Sequence, residues 1–285
     1  MPILTDFEYF KPKTIAEALQ LLDKYKEKAK ILAGGTDLIV QLKEDILSPE
    51  IVIDIKDIPD ANRIEEENGF ITIGNNVTFT QIMESQILKE KLPLLCQTAQ
   101  KVASVGIRNR ATLAGNICSA VPSLDSAPAL LNYDAIVITK NKVKQREITI
   151  HDWFVAPKKT ALATDELVVG IKIKIPKKHK SIYQKLGRYQ GEDLAQAGLG
   201  VLLDESGKVS LAMCAVGPIP KRLRKTEEFL NNNKATQENW EKAAEILNTE
   251  ISPITDIRAT ERYRRQMMKV MLKRSLEELY KGGLK

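Results

Sequence analysis

The chain has little of what most catalytic sites are made from. Of 285 residues only two are histidine and three are cysteine. Cys96, Cys118 and Cys214 lie far apart and form no Cys-x-x-Cys pair, so they cannot by themselves build a zinc site or an iron–sulfur cluster. An odd, scattered set also excludes a disulfide framework and points to a reducing compartment. No Gly-x-Gly-x-x-Gly follows a strand; Gly198-Leu199-Gly200 lacks a third glycine and falls within an expected strand. The P-loop pattern and the Gly-x-Ser-x-Gly elbow are both missing. His151, read as structural at a strand end beside Trp153, and His179, read as solvated in a basic linker, have no nucleophile at a telling spacing. No run of about 18 apolar residues occurs, so no membrane-spanning helix is expected. The start, Met1-Pro2-Ile3-Leu4-Thr5-Asp6, has neither the basic nor the apolar stretch of a signal peptide, and the expected location is cytoplasmic.

What is present is an ordinary globular composition. Hydrophobic residues make up 43%, enough for a core, and charged residues 28%. The length fits two domains, or one domain with subdivisions. The formal net charge is +6, but the charges are interleaved, as in Glu65-Glu66-Glu67 and Arg262-Tyr263-Arg264-Arg265. Nucleic-acid binding needs a clustered basic face, so a solvated mixed surface is the reading adopted.

Periodicity sets out the organisation. Thr14-Ile15-Ala16-Glu17 is a capping-box pattern opening a helix with Ile15, Ala18, Leu19 and Leu22 on one face. A strand over Lys30–Ala33, a break at Gly34-Gly35, a helix from Asp37 to Lys43 and a strand Ile51–Asp54 follow the grammar of a parallel βαβ unit. Further strands are expected at 70–74, 135–138 and 167–175. Helices are expected at 80–84, 92–103 and 128–133, with Pro93 tolerated in its helix's first turn. Pro176-Lys177-Lys178-His179-Lys180 reads as a linker. Beyond it come strands 181–188, 195–204 and 208–216, the last two joined at Glu205-Ser206-Gly207. Three closing helices lie around 222–230, 237–247 and 258–280, the last carrying Met268, Met271, Leu272, Leu276 and Leu279 as a core stripe.

Two glycine-bearing segments carry the chemistry. In Ile31-Leu32-Ala33-Gly34-Gly35-Thr36-Asp37-Leu38, the glycines can take φ > 0 and admit a ligand to the main chain. Thr36 and Asp37 stand at a helix start, where free N–H groups favour a phosphate; they serve equally well as simple helix caps. In Ala111-Thr112-Leu113-Ala114-Gly115-Asn116-Ile117-Cys118-Ser119, Thr112 offers a hydroxyl, Gly115 bare backbone and Asn116 both a donor and an acceptor. Asp125 can accept from ribose hydroxyls or act as an N-cap.

Paired at this spacing, Ala33-Gly34-Gly35-Thr36-Asp37 and Ile107-Arg108-Asn109-Arg110-Ala111-Thr112-Leu113-Ala114-Gly115-Asn116-Ile117-Cys118 resemble the FAD-binding (medium) subunit of the molybdenum hydroxylases, of the xanthine dehydrogenase and carbon monoxide dehydrogenase type. The resemblance extends over essentially the whole chain. It takes in Pro122-Ser123-Leu124-Asp125-Ser126-Ala127-Pro128-Ala129-Leu130, Tyr183-Gln184-Lys185 through Asp193-Leu194-Ala195, and Ile257-Arg258-Ala259-Thr260-Glu261-Arg262-Tyr263-Arg264.

It implies an α+β, vanillyl-alcohol-oxidase-like (PCMH-type) FAD-binding fold with a smaller C-terminal domain of sheet and helices. The division expected is 1–177 for FAD binding (1–57 α/β, 58–177 central α+β) and 178–285 for the C-terminal domain. By the same resemblance, Lys30, Ile31, Leu32, Ala33, Gly34, Gly35, Thr36 and Asp37 line the pyrophosphate. Ala111, Thr112, Ala114, Gly115 and Asn116 form a second loop near the flavin and ribityl chain. Ser119 and Asp125 lie on the phosphate and adenosine side, Val102 and Ile107 are apolar neighbours, and Leu167 packs near the isoalloxazine. Gln184 and Lys185 approach the isoalloxazine from the C-terminal domain. Relatives usually carry Gly-Gly where this chain has Ala114-Gly115; were φ > 0 required at Ala114, the cost would be about 1 kcal/mol.

The implied activity is electron transfer by an oxidoreductase subunit with FAD as its only redox centre, no resident metal and no catalytic acid or base. The implied partners are a [2Fe–2S] small subunit and a molybdenum-cofactor large subunit, with NAD or another molecule as acceptor. Two alternatives stand beside it: a self-sufficient FAD oxidase or dehydrogenase of the same superfamily, and a basic RNA- or partner-binding protein using the last helix.

Overall fold

A computed structural model describes residues 3, 5–189 and 192–281. Met1, Pro2 and Leu4, on which the reading of the amino terminus rests in part, lie outside the described residues. Strands Glu8–Phe10 and Ala29–Leu32 flank Ile51–Asp54, both parallel to it. The helix between them, Ile15–Tyr25, is capped by Thr14, whose hydroxyl accepts from Glu17 N at 3.1 Å. The Glu17 carboxylate reaches one residue beyond the usual capping box, accepting from Lys13 N at 2.7 Å. Ala18, Leu19 and Leu22 bury the helix's apolar face against Ile51, Ile53 and Ile55. Complete burial of one such aliphatic side chain contributes about 1.5–3 kcal/mol.

A five-stranded antiparallel sheet follows, in spatial order Ile64–Glu67, Phe70–Gly74, Leu167–Lys174, Ile136–Lys140, Gln145–Thr149. Its inner face, Ile71, Ile73, Val137, Ile171 and Ile173, is covered by a central cluster that includes Phe79, Leu94, Leu113, Ile117 and Trp153. The alternating strand residues thus supply one wall, and helices Pro93–Gln100, Leu113–Ser119 and Ala127–Asn132 contribute to the same cluster. The helix expected over 92–103 stops at Gln100. Ala103 then takes φ +37° and Ser104 caps the short helix Val105–Arg108.

The rest of the chain forms an antiparallel sheet ordered His179–Leu186, Ala197–Asp204, Val209–Cys214, Lys221–Arg222. The expected hairpin is present; Gly207, at φ +84°, closes its turn by donating to Asp204 O at 3.0 Å. Helices Arg224–Asn232, Gln237–Glu250 and Glu261–Lys281 cover one face, and the methionine stripe of the last is buried.

The linker reading of 176–180 needs correction, because His179 already belongs to a strand. Nor is His179 merely solvated. Its Nδ1 donates to Lys177 O at 2.9 Å, which leaves Nε2 to accept from the Tyr133 hydroxyl at 3.0 Å. The rings meet edge-on with centroids 5.5 Å apart, tying the last sheet to helix Ala127–Asn132. His151 sits in the short helix Ile150–Trp153 and binds Asp134 Oδ1 at 2.7 Å.

Candidate functional site

The first glycine segment leaves the parallel sheet after Leu32 and turns into helix Leu38–Lys43. Gly35 has φ +77°, the left-handed conformation that glycine adopts without a Cβ penalty. Asp37 occupies the N-cap position, yet its side chain makes no capping bond. The main-chain N–H groups from Gly34 to Leu38 find no acceptor among the described residues. A side-chain cap does not account for this, and a row of free N–H groups at a helix start favours an anion.

The second segment is a capped helix start. Thr112 Oγ1 accepts from Gly115 N at 3.0 Å, and Leu113 N donates to Val77 O at 3.1 Å. Ala114 lies inside helix Leu113–Ser119, is not among the positive-φ residues and turns its methyl into the core, 4% exposed. The strain contemplated for it therefore does not arise. Gly115 is the position that needs glycine, since a Cβ there would come within 2.9 Å of the capping oxygen. The helix is pinned from below by Trp153, whose Nε1 donates to Ile117 O at 2.9 Å.

The two segments touch at one point. A Cβ on Gly34 would overlap the carbonyl oxygen of Arg110 and lie 2.7 Å from its carbon and 3.0 Å from Ala111 Cα. Only glycine allows this backbone-on-backbone approach.

Beside the junction opens a cleft of about 420 Å³ lined by Ala33, Gly34 and Thr112 from the expected set. Lys56, Asn62, Asn76, Thr78, Thr80, Gln81, Asn109 and Arg110 complete it. None of these eight is among the residues expected from the sequence, although Asn109 and Arg110 lie within the quoted motif. The lining holds two cations and no carboxylate. Lys56 is held by Asp54, which takes its main-chain N–H at 3.0 Å and its ammonium at 2.6 Å and also accepts from the Tyr9 hydroxyl. Burial raises the Asp54 carboxyl, but the bonds from Lys56 and Tyr9 outweigh it and hold it below the usual range. Asn76 donates to Ile55 O at 2.6 Å, while its own buried carbonyl oxygen has no partner. The free N–H groups and the cations form a donor set that fits a diphosphate, and the unpaired Asn76 oxygen is an acceptor for a hydroxyl or amino group of a dinucleotide.

A second cluster gathers behind the helix Leu113–Ser119. Asn116 Oδ1 accepts from Ser126 at 2.6 Å, and Ser119 donates to Asn116 O at 2.9 Å. Next to Ser126, Asp125 accepts from Lys185 Nζ and from the Tyr183 hydroxyl, both at 2.7 Å. It caps no helix. Burial pushes its carboxyl above the usual range, against the pull of Lys185, Tyr183 and Lys101. Lys185 also donates to Lys101 O at 2.8 Å, beside Val102, whose carbonyl takes Arg108 at 2.7 Å.

Gln184 does not join this cluster. Strand alternation turns it to the opposite face, where its amide donates to Ser275 at 2.8 Å. The paired approach expected for Gln184 and Lys185 is divided by the pleat. Leu167 packs in the N-terminal cluster with Ile31 and Ala33, behind the first segment. Lys30 and Leu32 share the strand that delivers the cradle, and Ile107 is 36% exposed on the helix before Arg110. A larger cleft of about 620 Å³, at the start of helix Glu261–Lys281, contains none of the expected residues.

Comparison with known proteins shows the family. A family model described as the FAD binding domain in molybdopterin dehydrogenase matches residues 5–178. A second, the CO dehydrogenase flavoprotein C-terminal domain, matches residues 181–279. The xanthine dehydrogenase FAD-binding subunit of Escherichia coli O157:H7 is 31% identical over 277 residues, 95% of this chain and 94% of that one. The nicotinate dehydrogenase FAD-subunit of Eubacterium barkeri is 29% identical over 281 residues, 95% of each chain. Among solved structures, a chain of carbon monoxide dehydrogenase from Hydrogenophaga pseudoflava superposes with a TM-score of 0.94 at 29% identity, covering 99% of both chains.

Proposed function

Since the chain belongs to the FAD-binding subunits of the molybdenum hydroxylases, with FAD as cofactor and the PCMH-type fold, we propose that it is the electron-transfer subunit of a xanthine dehydrogenase-like complex. It takes electrons from the [2Fe–2S] clusters of a small subunit and delivers them to NAD⁺ or another acceptor. A molybdenum-cofactor large subunit oxidises the substrate. The observation that carries this reading is the contact of Gly34 with Arg110, which makes one site from two distant segments.

Bound FAD supplies the redox chemistry; the protein supplies binding, orientation and electrostatics. The N–H groups of Gly34 to Leu38 would hold its diphosphate, with Lys56 and Arg110 adding positive charge. Asn76, Thr78 and Gln81 offer polar atoms to the nucleoside portion. Thr112, which caps the helix start, and Asn116 would steady that wall of the cofactor's site, Val102 and Ile107 would exclude water from its edges, and Leu167 would support the first segment from behind. Lys185, fixed by Asp125, would place one cation beside the flavin. Electron transfer needs no general acid or base.

The test is reconstitution. The purified chain loaded with FAD should show flavin absorbance and, mixed with its co-purifying iron–sulfur and molybdenum subunits, should restore substrate-dependent reduction of the acceptor. A chain that takes up no FAD refutes the reading. Turnover of an organic substrate by the isolated chain would replace the subunit assignment with that of a self-sufficient oxidase.

A further inference from the structure

The Asp125–Lys185 pair has a third member that the cofactor reading does not use. Tyr183 is 6% exposed, on the same strand and the same face as Lys185. Its hydroxyl donates to Asp125 Oδ1, while Lys185 holds Oδ2. The carboxylate is thus gripped at both oxygens by two residues of one strand. The strand is itself locked to the FAD-binding half by Gln97, which accepts from Tyr183 N at 2.9 Å and donates to Ser181 O at 3.0 Å. On the neighbouring strand Gly198 leaves the room the phenol needs. A Cβ there would overlap Cys214 Sγ and lie 2.8 Å from the Tyr183 hydroxyl.

We propose that Tyr183 is a positioning residue for flavin electrochemistry: its hydroxyl holds and aims the Asp125 carboxyl, and Asp125 in turn would fix the Lys185 ammonium beside the cofactor. This rests on the functional reading above. The physical argument is that each donor to a buried carboxylate favours its charged form and fixes its direction. Asp125 is faced by Lys185 and Tyr183 from one strand, by Cys214 from another, and by Lys101 from the segment after helix Pro93–Gln100. Burial works against its charge, while Lys185, the Tyr183 bond and Lys101 work for it. Without that bond the charged carboxylate is less favoured and less firmly aimed, its counter-charge on Lys185 weakens, and the site becomes more positive.

The experiment is anaerobic spectroelectrochemistry of the FAD-loaded chain, with thermal melting read alongside. Tyr183→Phe should move the flavin midpoint potential to more positive values. In an Asp125→Asn background the same replacement should leave the potential unchanged. Site-specific 3,5-difluorotyrosine at position 183, nearly isosteric but a stronger donor, should move it the other way; it also serves if the phenylalanine variant fails to fold. A lowered melting temperature with an unmoved potential shows a merely structural role and overturns the inference. So does a shift that persists in full without the Asp125 carboxylate. If the unaltered chain binds no FAD, the proposed function fails; if it binds FAD and only the Tyr183 variants leave the potential unmoved, this inference alone fails.

Discussion

Gly34→Ala is the sharpest perturbation of the site. The added methyl has open space nowhere: it would overlap the Arg110 carbonyl oxygen and lie 2.7 Å from the carbonyl carbon and 3.0 Å from Ala111 Cα. All three atoms are main chain, so no side chain can swing away, and one segment must shift relative to the other. Overpacking of this kind costs roughly 1–3 kcal/mol. Arg110 is anchored through Ala111, whose N–H and C=O are both bonded, to Ile107 O at 2.7 Å and from Phe79 N at 3.1 Å. The strain therefore falls on the cradle, whose N–H groups from Gly34 to Leu38 are unbonded. If it is expressed wholly in the bound geometry, FAD affinity drops roughly 5- to 150-fold, at about 1.4 kcal/mol per factor of ten. The assay is FAD titration by flavin fluorescence, with thermal melting in parallel. Gly207→Ala is the control: φ is +84° but nothing lies within 4 Å, so it should lose about 1–2 kcal/mol of stability and no FAD affinity. Gly34→Ala binding FAD within twofold of the unaltered chain would refute the two-wall account of the site.

Other outcomes follow from single features. Lys56→Met should weaken FAD binding several-fold, and the difference should shrink in high salt, as titration across ionic strength would show. Lys26→Gly should raise stability by about 1 kcal/mol, because exposed Lys26 sits at φ 47°, ψ −122° at the end of helix Ile15–Tyr25; denaturant unfolding measures it. At Asp256 burial opposes ionisation, yet bonds from Arg258, the Ala259 N–H and Arg264 hold its carboxyl well below the usual range. That stability is present above the unfolded carboxylate's pKa, about 3.9, and is lost as pH falls below it. Asp256→Asn should thus be destabilising at pH 7, with the gap closing in acid melts. Burial lifts the Cys96 thiol to about 11 and Cys118 to about 12, so neither should react with a disulfide reagent at pH 7 until the chain unfolds.

Much of the fold was legible because it is local. The 3.6-residue spacing of Ala18, Leu19 and Leu22, the alternation from Leu167 to Ile175 and the turn at Gly207 are each written in fewer than a dozen neighbouring residues. The two glycine segments were legible for a similar reason, since a small-residue turn can be seen without its partner. What alternation hides is which face meets the ligand. Tyr183, Gln184 and Lys185 are consecutive, but only the sheet's register against 197–204 sends Gln184 to Ser275 and the other two to Asp125. Ala114 shows the same limit: a position matched to a glycine turn proved to be ordinary helix, with the conformational demand falling on Gly35 instead.

The sequence by itself determined most of the elements, the two glycine segments and, through their pairing, the family and its cofactor. Tertiary structure alone decided that Gly34 meets Arg110 across more than seventy residues of chain. It also decided that Lys56, Asn62 and Asn76, which no motif marks, line the same cleft, and that His179 is a strand residue bonded to Tyr133. The reason is physical. Local propensity and hydrophobic period act over a few residues, whereas a site assembled from distant segments depends on how whole cores dock, a sum of contacts that no short window contains.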